Sequence, residues 1–322
     1  MDSKGNPTIS APNGRRRTGG QRAVFSSPAF HRVQRRHFLL FDVIPALGAL
    51  AAFGALPWLR PQAVDLIAFA VLWLATGLGL TVGFHRYFSH RAFAAARPVV
   101  IGLIVSGSMA ARGPMVSWVA MHRRHHEVSD RDGDLHSPNL HGTGRAGRLR
   151  GWLHAHLTWM IAHDYPNVAR YVPDILADRG LMWWNRLYFL WVALGLAIPA
   201  VIGFIASGAW QGAVTGFLWG GLLRIFVVEQ TMSAINSFGH MAGARAFDRT
   251  DNSRNNAWFG LLSWGEAHHN NHHAWSNSAA FGLRWYELDP GFWFIRILQA
   301  LGLAWDVRVP ARDRVESQRM PP

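Results

Sequence analysis

Four stretches of this chain are each long and apolar enough to cross a lipid bilayer as a helix. They lie at about residues 38–59, 64–84, 186–206 and 211–233, and a bilayer core takes about 20 apolar residues of helix. Arg60 to Ala63 alone separate the first two stretches, and the segment from Ser207 to Gln211 separates the last two. The sequence therefore predicts two tight helical hairpins whose turns lie on one side of a membrane.

Arginine is concentrated on the side opposite the two turns. It is frequent before residue 38, in the loop between the hairpins and in the C-terminal segment. Because Lys and Arg are enriched in cytoplasmic segments, both termini and the central loop are predicted to be cytoplasmic. A fifth apolar run, at about 98–111, is short and favours a re-entrant or interfacial segment, and residues 292–305 favour a helix lying in the interface.

Three regions are predicted from composition. Residues 1–37 are rich in Arg, Gly, Ser and Pro and are expected to be a disordered basic cytoplasmic tail, residues 38–310 one membrane domain, and residues 311–322 a C-terminal tail. Arg35 and Arg36 before an apolar run are similar to a twin-arginine export signal, but no convincing cleavage site follows, so the positive flank of the first span is the preferred interpretation. The expected fold is an all-α integral membrane protein with four transmembrane helices in two hairpins and a cytoplasmic helical cap.

Composition also limits the function. The chain has no cysteine, which excludes disulfides, thiolate zinc sites and cysteine-ligated iron–sulfur clusters. The formal charge of +13 would suit a nucleic-acid-binding protein, but it flanks apolar stretches, so a lipid bilayer and not nucleic acid is the expected partner. Lys4 is the only lysine, a bias typical of a GC-rich genome, so the membrane would be the bacterial cytoplasmic membrane.

Histidine clusters fall at the predicted cytoplasmic ends of the spans. Residues three and four apart share one face of a helix, so His122, His125 and His126 are expected to direct three imidazoles at one point, as are the three histidines at 269, 272 and 273. Nine imidazoles and one amide exceed what one metal can bind, which implies two metals. Imidazole suits zinc, copper, iron and nickel alike, so spacing leaves the metal open. The candidate ligands are His85, His90, His122, His125, His126, Asn236, His240, His269, His272 and His273.

Together these clusters resemble the three histidine boxes of membrane fatty acyl desaturases, particularly the acyl-CoA delta-9 type exemplified by stearoyl-CoA desaturases. The boxes are His-Arg-x-x-Ser-His at 85–90, His-Arg-Arg-His-His at 122–126 and Gly-Glu-x-x-His-Asn-x-His-His at 265–273, with Asn-Ser-x-x-His at 236–240. The resemblance covers about residues 38–310. His268 is a departure, since the family usually has an aromatic residue there, and it is interpreted as an aromatic substitute.

The resemblance implies two iron ions, with the nine histidines as direct ligands and Asn236 as a ligand either directly or through water. An unactivated methylene has no acidic proton, so its oxidation requires a redox metal and dioxygen; this argument, together with the resemblance, selects iron, as Fe2+ in the reduced form. The sequence has no nucleotide-binding glycine motif, and no bound flavin, haem or NAD is expected. Electrons would come from a separate ferredoxin, rubredoxin or b5-type cytochrome with its reductase.

The expected reaction is desaturation, at the delta-9 position, of a saturated acyl-CoA or another acyl substrate. Candidates to bind a phosphate-bearing headgroup are Arg123, Arg124, Arg131 and Arg148, although ordinary positive charge of a cytoplasmic loop explains them equally well. A hydroxylase on the same scaffold and a non-enzymatic membrane metal-binding protein are the alternatives. Arg224 and Glu229, inside the fourth span, are expected to pair or to line the substrate path.

The remaining histidines are given lesser roles. Four of them are expected to lie behind the ligands, to face a substrate or to lie on the surface: His136, His154, His156 and His163. No functional role is assigned to His31, His37 and His141.

Overall fold

A computed structural model describes residues 22–321 of the protein. The described part is mainly helical, with two short antiparallel strand pairs. In chain order the elements are β1 Val24–Phe25, α1 Pro28–Gly54, α2 Ala63–Ser89, β2 Ala94–Ala95, α3 Arg97–Met109, α4 Met115–Val128, α5 Gly144–His156, β3 Tyr165–Pro166, α6 Val168–Tyr171, α7 Pro173–Leu176, α8 Arg179–Arg186, α9 Tyr188–Ser207, α10 Trp210–His240, α11 His269–Ala274, α12 Pro290–Ala300, β4 Ala304–Trp305 and α13 Arg312–Ser317, with single 3-10 turns at Pro138–Leu140, Thr158–Met160 and Ala257–Phe259.

The four long apolar helices are α1, α2, α9 and α10, as the sequence predicts. Their outward faces carry large exposed aliphatic side chains such as Leu50, Ile67 and Ile205. Soluble proteins rarely expose so wide an apolar surface to water, whereas the core of a bilayer solvates it. The protein is therefore a multi-pass membrane protein. In the second hairpin, α9 and α10 pack directly against each other around the left-handed turn at Gly208, whereas α1 packs mainly on α10, where Gly48 meets Leu222.

The fifth apolar run forms α3, a helix of 13 residues that packs against α2 and α9. At about 1.5 Å per residue it is roughly 20 Å long, shorter than the bilayer core. Its close approach to α2 needs glycine, because a Cβ on Gly79 would meet the backbone nitrogen of Gly107 at 2.1 Å. This packing fixes the C-terminal half of α2, from which the first histidine box projects.

The N-terminal segment differs from the sequence prediction. Disorder was expected up to residue 37, but β1 pairs with β3 and α1 begins at Pro28, capped by the Ser27 hydroxyl; residues 1–21 of the predicted tail lie outside the described residues. The segment is ordered because it continues the first span as one helix and because the Gln34 amide exchanges two hydrogen bonds with the His163 backbone. At the other end, α13 buries Val315, so residues 312–317 pack on the domain.

The cap is built from the segments between the hairpins and after α10. β2, just after the first histidine box, pairs with β4, near the C-terminus. The predicted interfacial helix at 292–305 is shorter in the structure: α12 ends at Ala300 and the chain then enters β4. A buried ion pair of 2.8 Å between Arg86 and Asp289 ties α2 to the start of α12.

Arg224 and Glu229 do not pair with each other. The Arg224 guanidinium donates to the carbonyls of Met109, Gly195 and Gly220, whereas the Glu229 carboxylate pairs with Arg112. A separation of five residues places the two side chains about 140° apart around an α-helix, so they face different neighbours. The expectation that they pair is wrong, while Glu229 does line the cavity described below.

Candidate metal centre

A widened, π-helical stretch at Gly79–Ser89 ends α2 and positions the first histidine box. Residues five apart diverge by about 140° on an α-helix, but here the chain turns more slowly, and the His90 backbone N–H donates to the His85 carbonyl at 3.2 Å. The two imidazoles consequently lie on one side, with ring centroids 5.1 Å apart. Such wide turns are frequent at functional sites.

The nine predicted histidine ligands form two adjacent groups. Within each group, one ring nitrogen of every member lies within 4.8 Å of the corresponding nitrogen of every other member. The first group contains His85, His90, His122, His126 and His272, and the second contains His125, His240, His269 and His273. All nine side chains are buried or half-buried at one end of the bundle.

Each helical histidine box is divided between the two groups. His122 and His126 of α4 belong to the first and His125 to the second, and in α11 only His272 belongs to the first. The expectation that each triplet points to a single centre is therefore wrong. Successive residues differ by about 100° around a helix, so neighbours such as His125 and His126 address two centres lying side by side.

Four carboxylates orient the imidazoles from behind. The Nδ1–H of His85 donates to Glu266 at 2.7 Å, and that of His240 to Asp130 at 2.9 Å. Nδ1–H of His273 donates to Asp251 at 3.2 Å, and His125 to Asp134 at 3.0 Å. A proton on Nδ1 leaves the lone pair on Nε2, so in these four rings the metal-binding atom faces the centre of its group.

The electrostatics keep most of this cluster neutral. Burial, followed by the positive charge of neighbouring imidazoles, holds the pKa of His122, His126, His269 and His272 well below the ordinary value. Burial also lowers the pKa of His273 to about 4, against the opposing effect of Asp251. Neutral imidazole is the form that binds a metal.

Three of the orienting carboxylates, those of the aspartates, remain charged. Burial raises the pKa of Asp130, Asp134 and Asp251, but the hydrogen bonds and charges of their histidine partners outweigh it and hold all three below the usual range. Each of these histidines therefore faces a carboxylate anion, which makes its Nε2 atom a better donor to a cation.

The donor set fits a pair of transition-metal ions. Several pairs of Nε2 atoms within the groups lie 2.8 to 3.1 Å apart, such as those of His90 and His122 or of His269 and His273. Two imidazoles bound at right angles to one metal, each at about 2.1 Å, would be about 3.0 Å apart. In the second group the Nε2 atoms of His125, His240 and His273 present lone pairs. Among the described residues, the buried Nε2 atom of His125 has no hydrogen-bond partner. A shared cation would satisfy all of these atoms.

A further group joins His125, Asp134 and His136. The His136 ring lies 4.4 Å from that of His125, its Nδ1 atom is buried without a partner, and the side chain lines the adjacent cavity. His136 thus lies between the second histidine group and the cavity.

Other histidines lie farther from the two groups. The buried His268 bonds the Leu288 carbonyl at 3.0 Å and belongs to neither group. His154 bonds the Leu135 carbonyl, and His156 bonds Ser237 and Gln230. His37, to which the sequence assigned no function, lines the cavity described below and bonds the Tyr188 hydroxyl at 2.9 Å. His163 lines the same cavity. His31 lies near Ser26, and the His141 ring lies beside His154.

Two of the four predicted headgroup arginines are engaged within the protein. Arg123 forms a bidentate pair with Asp174, at 2.7 and 2.9 Å. Arg124 donates to the Tyr171 hydroxyl at 3.0 Å and is buried. These contacts hold α4 against α6 and α7. Arg131 and Arg148 are exposed, although Arg131 also donates to the Glu127 carbonyl.

A cavity of about 340 Å³ adjoins the two histidine groups. Its walls include Asn236 and members of both groups, together with apolar side chains such as Trp118, Met232 and Ile235. The first turns of α1 also form part of the wall, through Val33, Gln34 and His37. The volume lies in the range of small-molecule sites, and a ligand in this cavity would lie against the histidines.

Several functional side chains were not found from the sequence alone. Asp130, Asp134, Asp251 and Glu266 reach the histidines from segments up to 181 residues distant. The one feature of the sequence that could have indicated them is their position, since all four carboxylates lie within or between the histidine motifs.

Comparisons with known proteins agree with this architecture. The family model described as Fatty acid desaturase matches residues 63–300. A "Hex-5-enoyl-[acyl-carrier protein] acetylenase" of Moorena producens (strain JHB) is 46% identical over 290 residues, which cover 89% of this chain and 90% of the relative. An "sn-1 stearoyl-lipid 9-desaturase" of Anabaena variabilis is 35% identical over 296 residues, 89% of this chain and 97% of that protein.

A more distant relative is a "Probable acyl-CoA desaturase" of Schizosaccharomyces pombe (strain 972 / ATCC 24843), 32% identical over 276 residues, which cover 84% of this chain and 54% of the relative. The three relatives thus differ in the acyl carrier that their names give. Their shared family does not depend on that difference, and this chain belongs to the fatty acid desaturase family.

Proposed function

We propose that the protein is a dioxygen-dependent fatty acyl desaturase whose two irons are bound by the two histidine groups. The observation that carries the proposal is the convergence of nine buried or half-buried imidazoles on two neighbouring points, with four of them oriented by carboxylates. Iron bound there would supply dioxygen reduction and hydrogen abstraction, which zinc, having no redox chemistry, cannot. Asn236, on the cavity wall, would complete the ligand set directly or through water.

The reaction balances with one outside source of electrons. Two hydrogens leave the acyl chain with two electrons, two further electrons and two protons come from outside, and one dioxygen becomes two waters. The chain has no cysteine with which to hold an iron–sulfur cluster, so the proposal includes a separate donor such as a ferredoxin, a rubredoxin or a b5-type cytochrome. The cavity walls would hold the substrate and exclude water around the histidines.

A second candidate product is an alkyne. It is favoured by the 46% identical relative, whose name describes an acetylenase of a hex-5-enoyl chain on acyl-carrier protein. Removing two hydrogens from an existing double bond requires the same oxidant and the same balance, so the histidine groups suit both reactions. A hydroxylase would use the same groups but retain oxygen in its product.

The substrate is proposed to be an acyl thioester of phosphopantetheine, carried by coenzyme A or by a carrier protein. In α1, one face lines the cavity with Gln34 and His37, and the other exposes Arg32, Arg35 and Arg36. These guanidinium groups would lie near a phosphate outside the cavity while the acyl group lies inside. The arginine-rich face also supports a cytoplasmic location for the site in a bacterial membrane.

The deciding experiment compares the fatty acids of a desaturase-deficient host that expresses the wild type, His269→Ala or His268→Phe. Mass spectrometry of double-bond adducts gives the product and its bond position together. A new unsaturated acid with the wild type and His268→Phe, absent with His269→Ala, would support the proposal. Hydroxy acids would favour the hydroxylase, and no new product despite membrane expression, bound iron and a supplied donor would overturn the proposal.

A further inference from the structure

A buried ion pair lies in the wall of the cavity that adjoins the histidine groups. Arg112, between α3 and α4, pairs with Glu229 of α10, and their side chains are 6% and 4% exposed. The same Nη1 group of Arg112 lies 3.2 Å from the Glu229 carbonyl and 3.5 Å from the Ser233 hydroxyl. Both residues line the cavity.

Burying such an ion pair costs free energy that a cavity binding only hydrocarbon would not require. Removing two charges from water costs several kcal/mol per ion, and well-packed apolar side chains in place of a buried pair are often as stable. Within a membrane span, a buried ionisable residue commonly marks a functional site. The surroundings are polar as well, because the Tyr188 hydroxyl accepts from the Gly113 backbone N–H at 3.0 Å and Asp42 lines the same cavity.

The guanidinium group has donors to spare. All the hydrogen bonds that Arg112 makes with other described residues use Nη1, and a guanidinium has five N–H groups in all. Its Nε–H and Nη2–H groups are thus available to a ligand, and Glu229 fixes their direction. A hydrogen-bond acceptor on the substrate is the natural partner.

The position relative to the histidines gives this contact a consequence. His85, His122, His125 and His269 line the same cavity as Arg112. Arg112 would hold one atom of the substrate, and the histidine groups would face the reacting carbons. The length of substrate between these two points is therefore fixed by the cavity.

We propose that Arg112, held by Glu229, hydrogen-bonds the carbonyl oxygen of the bound acyl thioester and so sets the position of the oxidised bond by counting from the carbonyl. The inference rests on the proposed function and adds a positioning residue to it. A purely hydrocarbon contact in this cavity would instead fix the methyl end, and the bond position counted from the carbonyl would then change with chain length.

The test uses iron-loaded, full-length protein in nanodiscs with an electron donor and acyl carrier protein thioesters of six, ten and sixteen carbons. The informative variants are Arg112→Lys, which loses the planar donor fork, and the double variant Arg112→Met/Glu229→Met, which replaces the pair with apolar side chains of similar length and is expected to fold. Arg224→Lys is the matched control: Arg224 is also a buried arginine, but it bonds only backbone carbonyls and is not among the residues that line the cavity.

The expected wild-type products share one bond position counted from the carbonyl. In both Arg112 variants KM rises about tenfold to a hundredfold, as for the loss of a hydrogen bond to a charged group, and a second bond position appears, whereas Arg224→Lys keeps one position. A purely structural role would lower the amount of folded enzyme without moving the bond.

Two results would overturn the inference while leaving the proposed function intact: an unchanged KM and bond position in the double variant or in Arg112→Lys, or wild-type products whose bond is fixed from the methyl end. Loss of product from every substrate in the wild type, with iron bound, would overturn the proposed function and this inference with it.

Discussion

The Nδ1 atom of His85 and the Oε2 atom of Glu266 are 2.7 Å apart, and both side chains are almost fully buried. This bond joins the first histidine box, at the end of α2, to the third, just before α11. The Thr81 hydroxyl donates to the other carboxylate oxygen of Glu266. A single carboxylate thus fixes the tautomer and the direction of one imidazole while connecting a membrane span to the cap.

Replacing Glu266 by Gln should weaken metal binding without removing a ligand. The amide keeps the shape but not the charge, so the His85 Nε2 atom becomes a poorer donor. Loss of such an outer partner typically costs about tenfold to a hundredfold in metal affinity or activity. Iron per protein, measured by mass spectrometry after dialysis against a graded chelator series, gives the result.

The control for Glu266→Gln is Glu316→Gln, whose carboxylate is half exposed and pairs with Arg284 and Arg319 and not with a histidine. Equal iron retention by Glu266→Gln and the control would contradict the role assigned to Glu266.

Adjacent histidines should respond oppositely to substitution. His269 belongs to the second histidine group, whereas His268 bonds the Leu288 carbonyl and belongs to neither. We expect His269→Ala to lose about half of the iron, since the first group keeps its five imidazoles, and His268→Phe to keep it all. Iron content and the thermal midpoint with and without chelator separate the two effects. Full iron in His269→Ala, or loss in His268→Phe, would contradict the assignment of the groups.

The sequence predicts well those features that depend on length and local spacing. The four spans follow from runs of apolar residues, and the nine histidines marked by the three boxes and the Asn-Ser-x-x-His motif are in the two groups. Local spacing does not reveal how many centres a helix addresses. His125 and His126 are neighbours in the chain, yet the 100° between them sends them to different groups, which depends on where the facing helix places its own rings.

Features that depend on tertiary packing were missed. His85 and His90 share a side only because α2 widens into a π-helical turn, for which their spacing gave no sign. Of the two alternatives for Arg224 and Glu229, pairing is not found, because the Glu229 carboxylate pairs with Arg112, which is distant in sequence. Likewise, the order of residues 28–37 depends on contacts with residues 163–166, which composition cannot register.

Acid should destabilise the protein partly through His163, a residue remote from the histidine groups in sequence. Burial lowers the pKa of His163 to about 4, whereas the unfolded chain takes up the proton near the ordinary value of about 6.5. Below pH 6.5 the unfolded state therefore binds more protons, and the free energy of unfolding falls as the pH drops towards 4. One fully shifted group accounts for about 2 kcal/mol between pH 6.5 and 5.

The variant His163→Asn isolates this contribution, since other histidines titrate equally in both proteins. The free energy of unfolding, measured in detergent, should fall less between pH 6.5 and 5 in the variant than in the wild type. Above pH 7 it should change with pH in nearly the same way in both proteins. Identical pH dependence of the two proteins would show that His163 is not buried neutral.

The pair Arg86–Asp289 should contribute strongly to stability through its burial. Its side chains are 0% and 3% exposed, the Arg86 guanidinium lies over the Phe281 ring at 3.9 Å, and Asp289 also accepts from the backbone of Phe292. Arg86→Met leaves a carboxylate buried without its counter-charge, and breaking such a pair costs about 3 to 5 kcal/mol.

The control is Arg97→Met, which breaks an exposed pair with Asp178 and should cost at most about 1 kcal/mol. Denaturant unfolding of the iron-loaded protein gives both values. Because Arg86 directly follows His85 in the chain, Arg86→Met should also loosen the first box and release iron at a lower chelator concentration than Arg97→Met does. Equal stability of the two variants would mean that water reaches Asp289 and that the cap is held to α2 by its apolar contacts alone.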